Sequence, residues 1–184
     1  MRWMWVDRIL SLEKGRRLVA VKNVSLAEEH LHDHFAADAD GGRAALPVMP
    51  ASLIIEGMAQ SAGILVGHAN DFREKVVLAK VNKAELLSDA MPGQTLRYTA
   101  EVERLDATGA ATTGRVELIS WDAGVVPPPG SGAGTGISMT VEEIGRIDMM
   151  FAHVDHNMAG LAFPEHNFVF GETFKTLLRM SGVG

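Results

Sequence analysis

The stretch PASLIIEGMAQSAGILVG, residues 50–67, decides how the rest of this chain is read. It is long enough for about five turns of helix, and Pro50 suits the first turn, where a missing N–H removes no hydrogen bond. Apolar residues stand on almost every face, so the helix is expected to be buried and to need other elements wrapped around it. Ser52, Glu56 and Gln60 fall at i, i+4 and i+8, a narrow polar stripe on an apolar cylinder. An unpaired carboxylate is expensive to bury, so Glu56 either takes part in chemistry or is tied to a neighbouring polar group.

The flanking sequence supplies the wrapping. Residues 3–12 and 17–24 read as a hairpin turning at Glu13-Lys14-Gly15. Ser25 and Glu28 have capping-box spacing, which predicts one or two helical turns within 25–34, followed by a surface loop at 36–45 rich in Asp, Gly and Ala. Strands are expected at 75–84, 95–105, 111–121 and 137–152, separated by Pro92-Gly93, by Thr108-Gly109 and by the Pro/Gly-rich segment 122–136, a flexible excursion. A short final helix is expected at 172–179. The sum is an α+β chain: one long buried central helix wrapped by a mostly antiparallel sheet, in a single domain over 1–184 with inserted loops at about 36–45 and 122–136.

Bulk properties narrow the function classes. Apolar residues make up 47% and charged residues 22%, the balance of a packed globular protein rather than a disordered one. The absence of cysteine excludes disulfides, thiolate nucleophiles and cysteine metal sites. A net charge of -6 without a basic block offers no footprint for nucleic acid. Arg73, Lys75, Lys80 and Lys83 are the candidate patch for an anionic carrier, or else a solvated face. Glu56 and Gln60 interrupt the best apolar run and no cleavable leader is legible, so a cytoplasmic protein outside the membrane is expected.

Three histidines, His30, His32 and His34, alternate in HLHDHF. On an extended segment they would share a side, as metal ligands do; on a helix only His30 and His34 share a face. His153 and His156 with Asp155 form a weaker candidate, and their plainer reading is polar residues at a strand end.

HDHF followed by PVMPASLIIEGMAQ resembles the active-site region of the FabZ-type (3R)-hydroxyacyl-acyl-carrier-protein dehydratases, where a histidine precedes a PVMPG element and a helix close to LIVEAMAQ. The opening WVDRILSLEKGRRLVAVKNVS is similar too, so the resemblance covers about residues 3–105. It implies a hot-dog fold, with His34 as the catalytic histidine, Glu56 as the catalytic acid, Gln60 as its support, and Ala51 as the residue whose backbone N–H meets the thioester carbonyl. It also implies a homodimer whose protomers share each site, with assembly into a hexamer as a further expectation.

The implied activity is reversible dehydration of a (3R)-hydroxyacyl thioester, carried by acyl carrier protein or coenzyme A, to a trans-2-enoyl thioester. Imidazole titrates near neutrality and suits removal of the α-proton, the helix start offers a positive dipole to the developing enolate, and no metal or nucleotide is needed. Two departures stand out. Phe35 runs into AADADGGRAAL instead of an HFPG turn, and Ala51 replaces the usual glycine. The rival readings are a hot-dog thioesterase and a non-catalytic acyl-binding protein with the same fold.

Overall fold

The computed structural model describes residues 4–122, 138–154, 164, 167 and 169–183. Six strands, β1 (Arg8–Glu13), β2 (Arg17–Asn23), β3 (Val76–Leu86), β4 (Thr95–Asp106), β5 (Gly109–Asp122) and β6 (Ser138–His153), form one sheet ordered β1-β2-β4-β5-β6-β3. Every pairing in it is antiparallel. The helices among the described residues are α1 (His30–Asp33), α2 (Ala51–Ala69) and α3 (Glu172–Ser181). This is the hot-dog arrangement: a long helix laid along the inner face of a curved antiparallel sheet.

Period-two alternation gives the sheet its inner face. Leu18 and Ala20 of β2, Leu96, Tyr98 and Ala100 of β4, Val116 of β5 and Ile147 and Met149 of β6 are all buried in one cluster with Ile54, Met58 and Leu65 of α2. Leu53, Ile55, Glu56 and Gly63 of α2 remain half-buried, so the sheet leaves one stripe of the helix less covered. No helix among the described residues is long and apolar enough to cross a membrane.

The helix sits close to the sheet because Gly57 lacks a side chain. A Cβ there would overlap the ring and hydroxyl of Tyr98. Burial pushes the Tyr98 phenol above its ordinary ionisation range, and its hydroxyl has no hydrogen-bond partner among the described residues.

Some boundaries differ from expectation. The first strand begins at Arg8 rather than residue 3, because Trp5 and Val6 leave the sheet to pack in the core. The helical turns begin at His30 rather than Ser25, although Ala27 N–H does donate to Ser25 Oγ at 3.2 Å. Glu28 is drawn toward the Lys22 ammonium, which lies almost wholly buried beside it. Of the Pro/Gly-rich segment 122–136, all but Asp122 lies outside the described residues.

Overpacking typically costs about 1–3 kcal/mol, against about 1 kcal/mol of helix propensity gained when alanine replaces glycine. Gly57→Ala is therefore expected to lower the urea midpoint. Tyr98→Phe, which removes the nearest clashing atom and an unsatisfied hydroxyl, should be neutral or stabilising. The double variant should recover part of the Gly57→Ala loss, a coupling read directly from a double-mutant cycle.

Candidate active site

The polar stripe of α2 is ordered by depth. Ser52 is exposed, Glu56 is half-buried and Gln60 is buried. The backbone N–H of Trp5 donates to Gln60 Oε1 at 2.8 Å, and Gln60 Nε2 donates to Glu56 Oε1 at 2.9 Å. Because an amide has one accepting and one donating end, the Trp5 contact turns the Gln60 NH2 toward the carboxylate. Glu56 is thus held by a relay that begins outside its own helix.

Glu56, Ala59, Gln60 and Gly63 line one wall of a cavity of about 450 Å3. Val76, Val77 and Leu78 of β3, Phe151 of β6, and Val169, Phe170 and Phe174 near the C-terminus complete it. The lining is apolar except at Glu56 and Gln60, an arrangement suited to an apolar ligand with one reactive polar end.

His34 follows α1, and its Nδ1 lies 2.9 Å from the carbonyl of Val48. A carbonyl only accepts, so Nδ1 carries a proton, and the neutral tautomer compatible with this contact is the one with its lone pair on Nε2. The ring is tilted against Phe35 with centroids 4.3 Å apart. Residues 36–45 form a side excursion. Asp38 and Arg43 exchange backbone hydrogen bonds of 2.9 Å each way, and Leu46 N–H donates to Phe35 O at 3.0 Å, closing the base of the loop. The 22 positions from His34 to Glu56 (34 to 56) are thus shortened in space by a loop that turns back on itself.

At the start of α2, Pro50 provides no side-chain cap and no acid stands in the first turn. Ala51 is exposed and borders a smaller depression of about 220 Å3 with Met49, Ile54, Leu86, Leu87, Ser88 and Asp89. The first-turn N–H groups give this end a positive dipole.

The structure therefore joins Glu56 to Gln60, and holds His34 to Val48 just before the residues that open α2, but His34 does not line the Glu56 cavity of the same chain. The three alternating histidines take separate partners. His30 packs edge-on against Trp5 at 5.1 Å, and burial lowers its basicity; His32 Nε2 lies 2.8 Å from Leu26 O. His153 is fully buried with Nδ1 2.8 Å from Glu74 Oε2, while Asp155 and His156 lie outside the described residues. The proposed cationic patch loses Lys75, which is buried; Arg73, Lys80 and Lys83 are exposed. Trp5, Phe170 and Phe174 were missed as site residues because their contacts with α2 and its cavity join distant parts of the chain and leave no local spacing to read. The aromatic content of the tail was the only hint.

Comparison with known proteins gives a consistent result. A model of the FabA-like domain matches residues 2–125. The 3-hydroxyacyl-[acyl-carrier-protein] dehydratase FabZ of Pelotomaculum thermopropionicum is 37% identical over 119 residues, covering 61% of this chain and 79% of that protein. The FabZ of Ruminiclostridium cellulolyticum is 36% identical over 118 residues, covering 62% and 78%. Among solved structures, AziG of S. sahachiroi superposes with a TM-score of 0.53 at 12% identity, covering 79% of this chain and 89% of its own. The smu.793 protein of Streptococcus mutans, bound to acetyl CoA, gives 0.51 at 13% identity, covering 83% and 91%. These two likenesses concern the fold alone.

Gln60→Leu keeps the apolar volume and removes both hydrogen bonds of the relay. Stability is expected to fall by about 1–3 kcal/mol, measured by urea denaturation, with Gln60→Glu unable to restore it because a carboxylate cannot donate to Glu56. A Gln60→Leu protein as stable as the parent would show that the relay carries no weight.

Proposed function

The chain belongs to the FabA-like family, and from that premise we propose that it dehydrates a (3R)-hydroxyacyl thioester to the trans-2-enoyl thioester with His34 and Glu56 as the working pair. It is a hydro-lyase of the FabZ dehydratase kind, in fatty acid synthesis. The carrier we propose is acyl carrier protein, which the names of those relatives include. The observation that carries the residue assignment is the Glu56 carboxyl, held by Gln60 at the wall of an otherwise apolar cavity.

The chemistry follows from what each group can give or take. His34 Nε2, left with its lone pair by the Nδ1–Val48 bond, removes the proton on the carbon beside the thioester carbonyl. Charge moves onto the carbonyl oxygen, where the N–H of Ala51 at the positive end of α2 stabilises it. As the enolate collapses, the bond from carbon 3 to its hydroxyl breaks and Glu56, which enters the cycle as the neutral carboxylic acid, supplies the proton that lets the hydroxyl leave as water. The imidazolium and carboxylate left behind return to their starting states by moving the proton from one to the other. Hydration is the same path reversed.

We further propose that each site is shared between two copies. What supports this is that His34 lies outside the cavity of its own Glu56, and that β3 is an edge strand. Its first residues, Val76 to Leu78, wall that cavity, and among the described residues β3 pairs with β6 on one side only. Unpaired edge groups are an invitation to a second strand, and a strand docked there lies beside Glu56. A symmetric dimer built this way makes two equal sites.

Incubation of the purified protein with a trans-2-enoyl thioester tests the reading. Loss of the conjugated enoyl absorbance is expected, with His34→Ala and Glu56→Gln each lowering kcat/KM on the order of 10²–10⁴-fold. Release of free thiol in its place would make the protein a thioesterase, and acyl binding with neither would make it a carrier of acyl groups. For the shared site, mixing the two inactive variants under exchange conditions should restore about a quarter of the sites. Mixtures that stay inactive while the subunits exchange would place both residues in one chain's site.

A further inference from the structure

Part of the lining of the Glu56 cavity comes from residues beyond the stretch the family model matches. Residues 2–125 carry that match, whereas Val169, Phe170 and Phe174 line the cavity. Along α2 the lining residues Glu56, Ala59, Gln60 and Gly63 follow at i, i+3, i+4 and i+7, one stripe parallel to the helix axis. The next turn of that stripe is Gly67, and there the Phe170 ring lies so close that a Cβ on Gly67 would overlap it. From Glu56 to Gly67 the helix rises about 16 Å at 1.5 Å per residue. Glu56 therefore stands toward one end of the cavity and the Phe170 ring at the other.

Phe170 is fixed rather than loosely placed. Its ring meets Phe72 edge-on at 4.8 Å and Phe174 edge-on at 5.6 Å. Asn167 clamps the backbone that leads to it: its Nδ2 donates to Phe72 O at 3.0 Å and to Glu74 O at 2.9 Å, while its Oδ1 accepts from the N–H of Val169 at 3.0 Å and of Phe170 at 3.3 Å. The helix α3 that follows buries Phe174, Leu177 and Leu178. At its far end, Ser181 Oγ accepts from Ile9 N–H at 3.0 Å. The closing ring is thus held from both sides, to the α2–β3 connection and to β1.

We infer that Phe170, backed by Phe72 and Phe174, is the specificity-determining residue for acyl length, ending the cavity so that medium-chain acyl thioesters fit and long-chain ones do not. The inference rests on the reading of Glu56 as the acid at the reacting end. With the reacting carbons there, the alkyl tail runs over Gly63 toward Gly67. After allowance for the thickness of the ring, the remaining length admits roughly eight to ten carbons at about 1.2 Å per bond of extended chain. The wall is apolar throughout that run, which matches an alkyl tail and offers nothing to a polar one.

The test measures kcat/KM for crotonyl, octenoyl, dodecenoyl and hexadecenoyl thioesters of N-acetylcysteamine in the parent, Phe170→Ala and Phe170→Leu. The parent is expected to peak between octenoyl and dodecenoyl and to fall by hexadecenoyl. Opening the end lets further methylenes enter, each worth about fourfold in kcat/KM. The hexadecenoyl-to-octenoyl ratio should therefore rise about tenfold or more in Phe170→Ala, and by less in Phe170→Leu, which keeps most of the packing against Phe72 and Phe174. An unchanged ratio in two folded variants overturns the inference, as does a parent that prefers hexadecenoyl. Calorimetric binding of saturated acyl-pantetheine thioesters, butyryl to palmitoyl, is measured alongside. A length cut-off in binding that Phe170→Ala relaxes, without turnover by the parent, supports the closed end and counts only against the dehydratase reading.

Discussion

A carboxyl group about one and a half turns into an apolar helix has to be held by something, and among the described residues the holder is the Gln60 amide. Gln60 hydrogen-bonds the Glu56 carboxyl with one end and receives the Trp5 N–H with the other. Charged and polar groups are tolerated in such a setting only when their hydrogen bonds are made. The relay reaches from α2 to the segment before β1, so the residues that open the chain are part of the support for a group 51 positions later (5 to 56). This explains why Trp5 and Val6 leave the ladder and β1 starts at Arg8: the backbone N–H of Trp5 is committed to the site.

Much of the architecture was legible because it rests on local periodicity. Leu96, Tyr98 and Ala100 alternate inward as a strand must, and the uninterrupted apolar run from Ile64 to Val66 has no other home than a core. Glu56 and Gln60 were legible as a pair because four residues is one helical turn. The rest depends on encounters between distant parts of the chain. Nothing in the spacing of the tail places Phe170 over Gly67, or Ser181 beside Ile9. A lysine at position 75 looks like its neighbours in the sequence, yet the start of the edge strand buries it while Lys80 and Lys83 stay exposed. Pattern reports which face a residue takes; it does not report which remote segment will cover that face.

The two ends of α2 do different work for the same reason. The N-terminal end has Ala51 exposed and Pro50 offering no side-chain cap, so its dipole is open to an incoming oxygen. The other end is packed shut by aromatic rings against Gly67. Between them lies a stripe of small residues, Ala59 and Gly63, that gives the cavity its depth. On the proposed reading, helix polarity and side-chain size together set one end for polar chemistry and the other for an alkyl tail.

The excursion at 36–45 bears on how far sequence spacing can judge a site. An insertion next to a catalytic candidate threatens it only if the added chain must lie between the functional groups. Loop-closure entropy grows slowly with length, and this loop is closed locally by the Asp38–Arg43 exchange and at its base by Leu46 N–H donating to Phe35 O. The next contact inward from that base is His34 with Val48, two residues ahead of Pro50. The base of the loop and the histidine contact are therefore successive links across the same pair of segments, and lengthening the tip leaves both in place. What decides the histidine's position is the integrity of those two links, whatever the number of residues outside them.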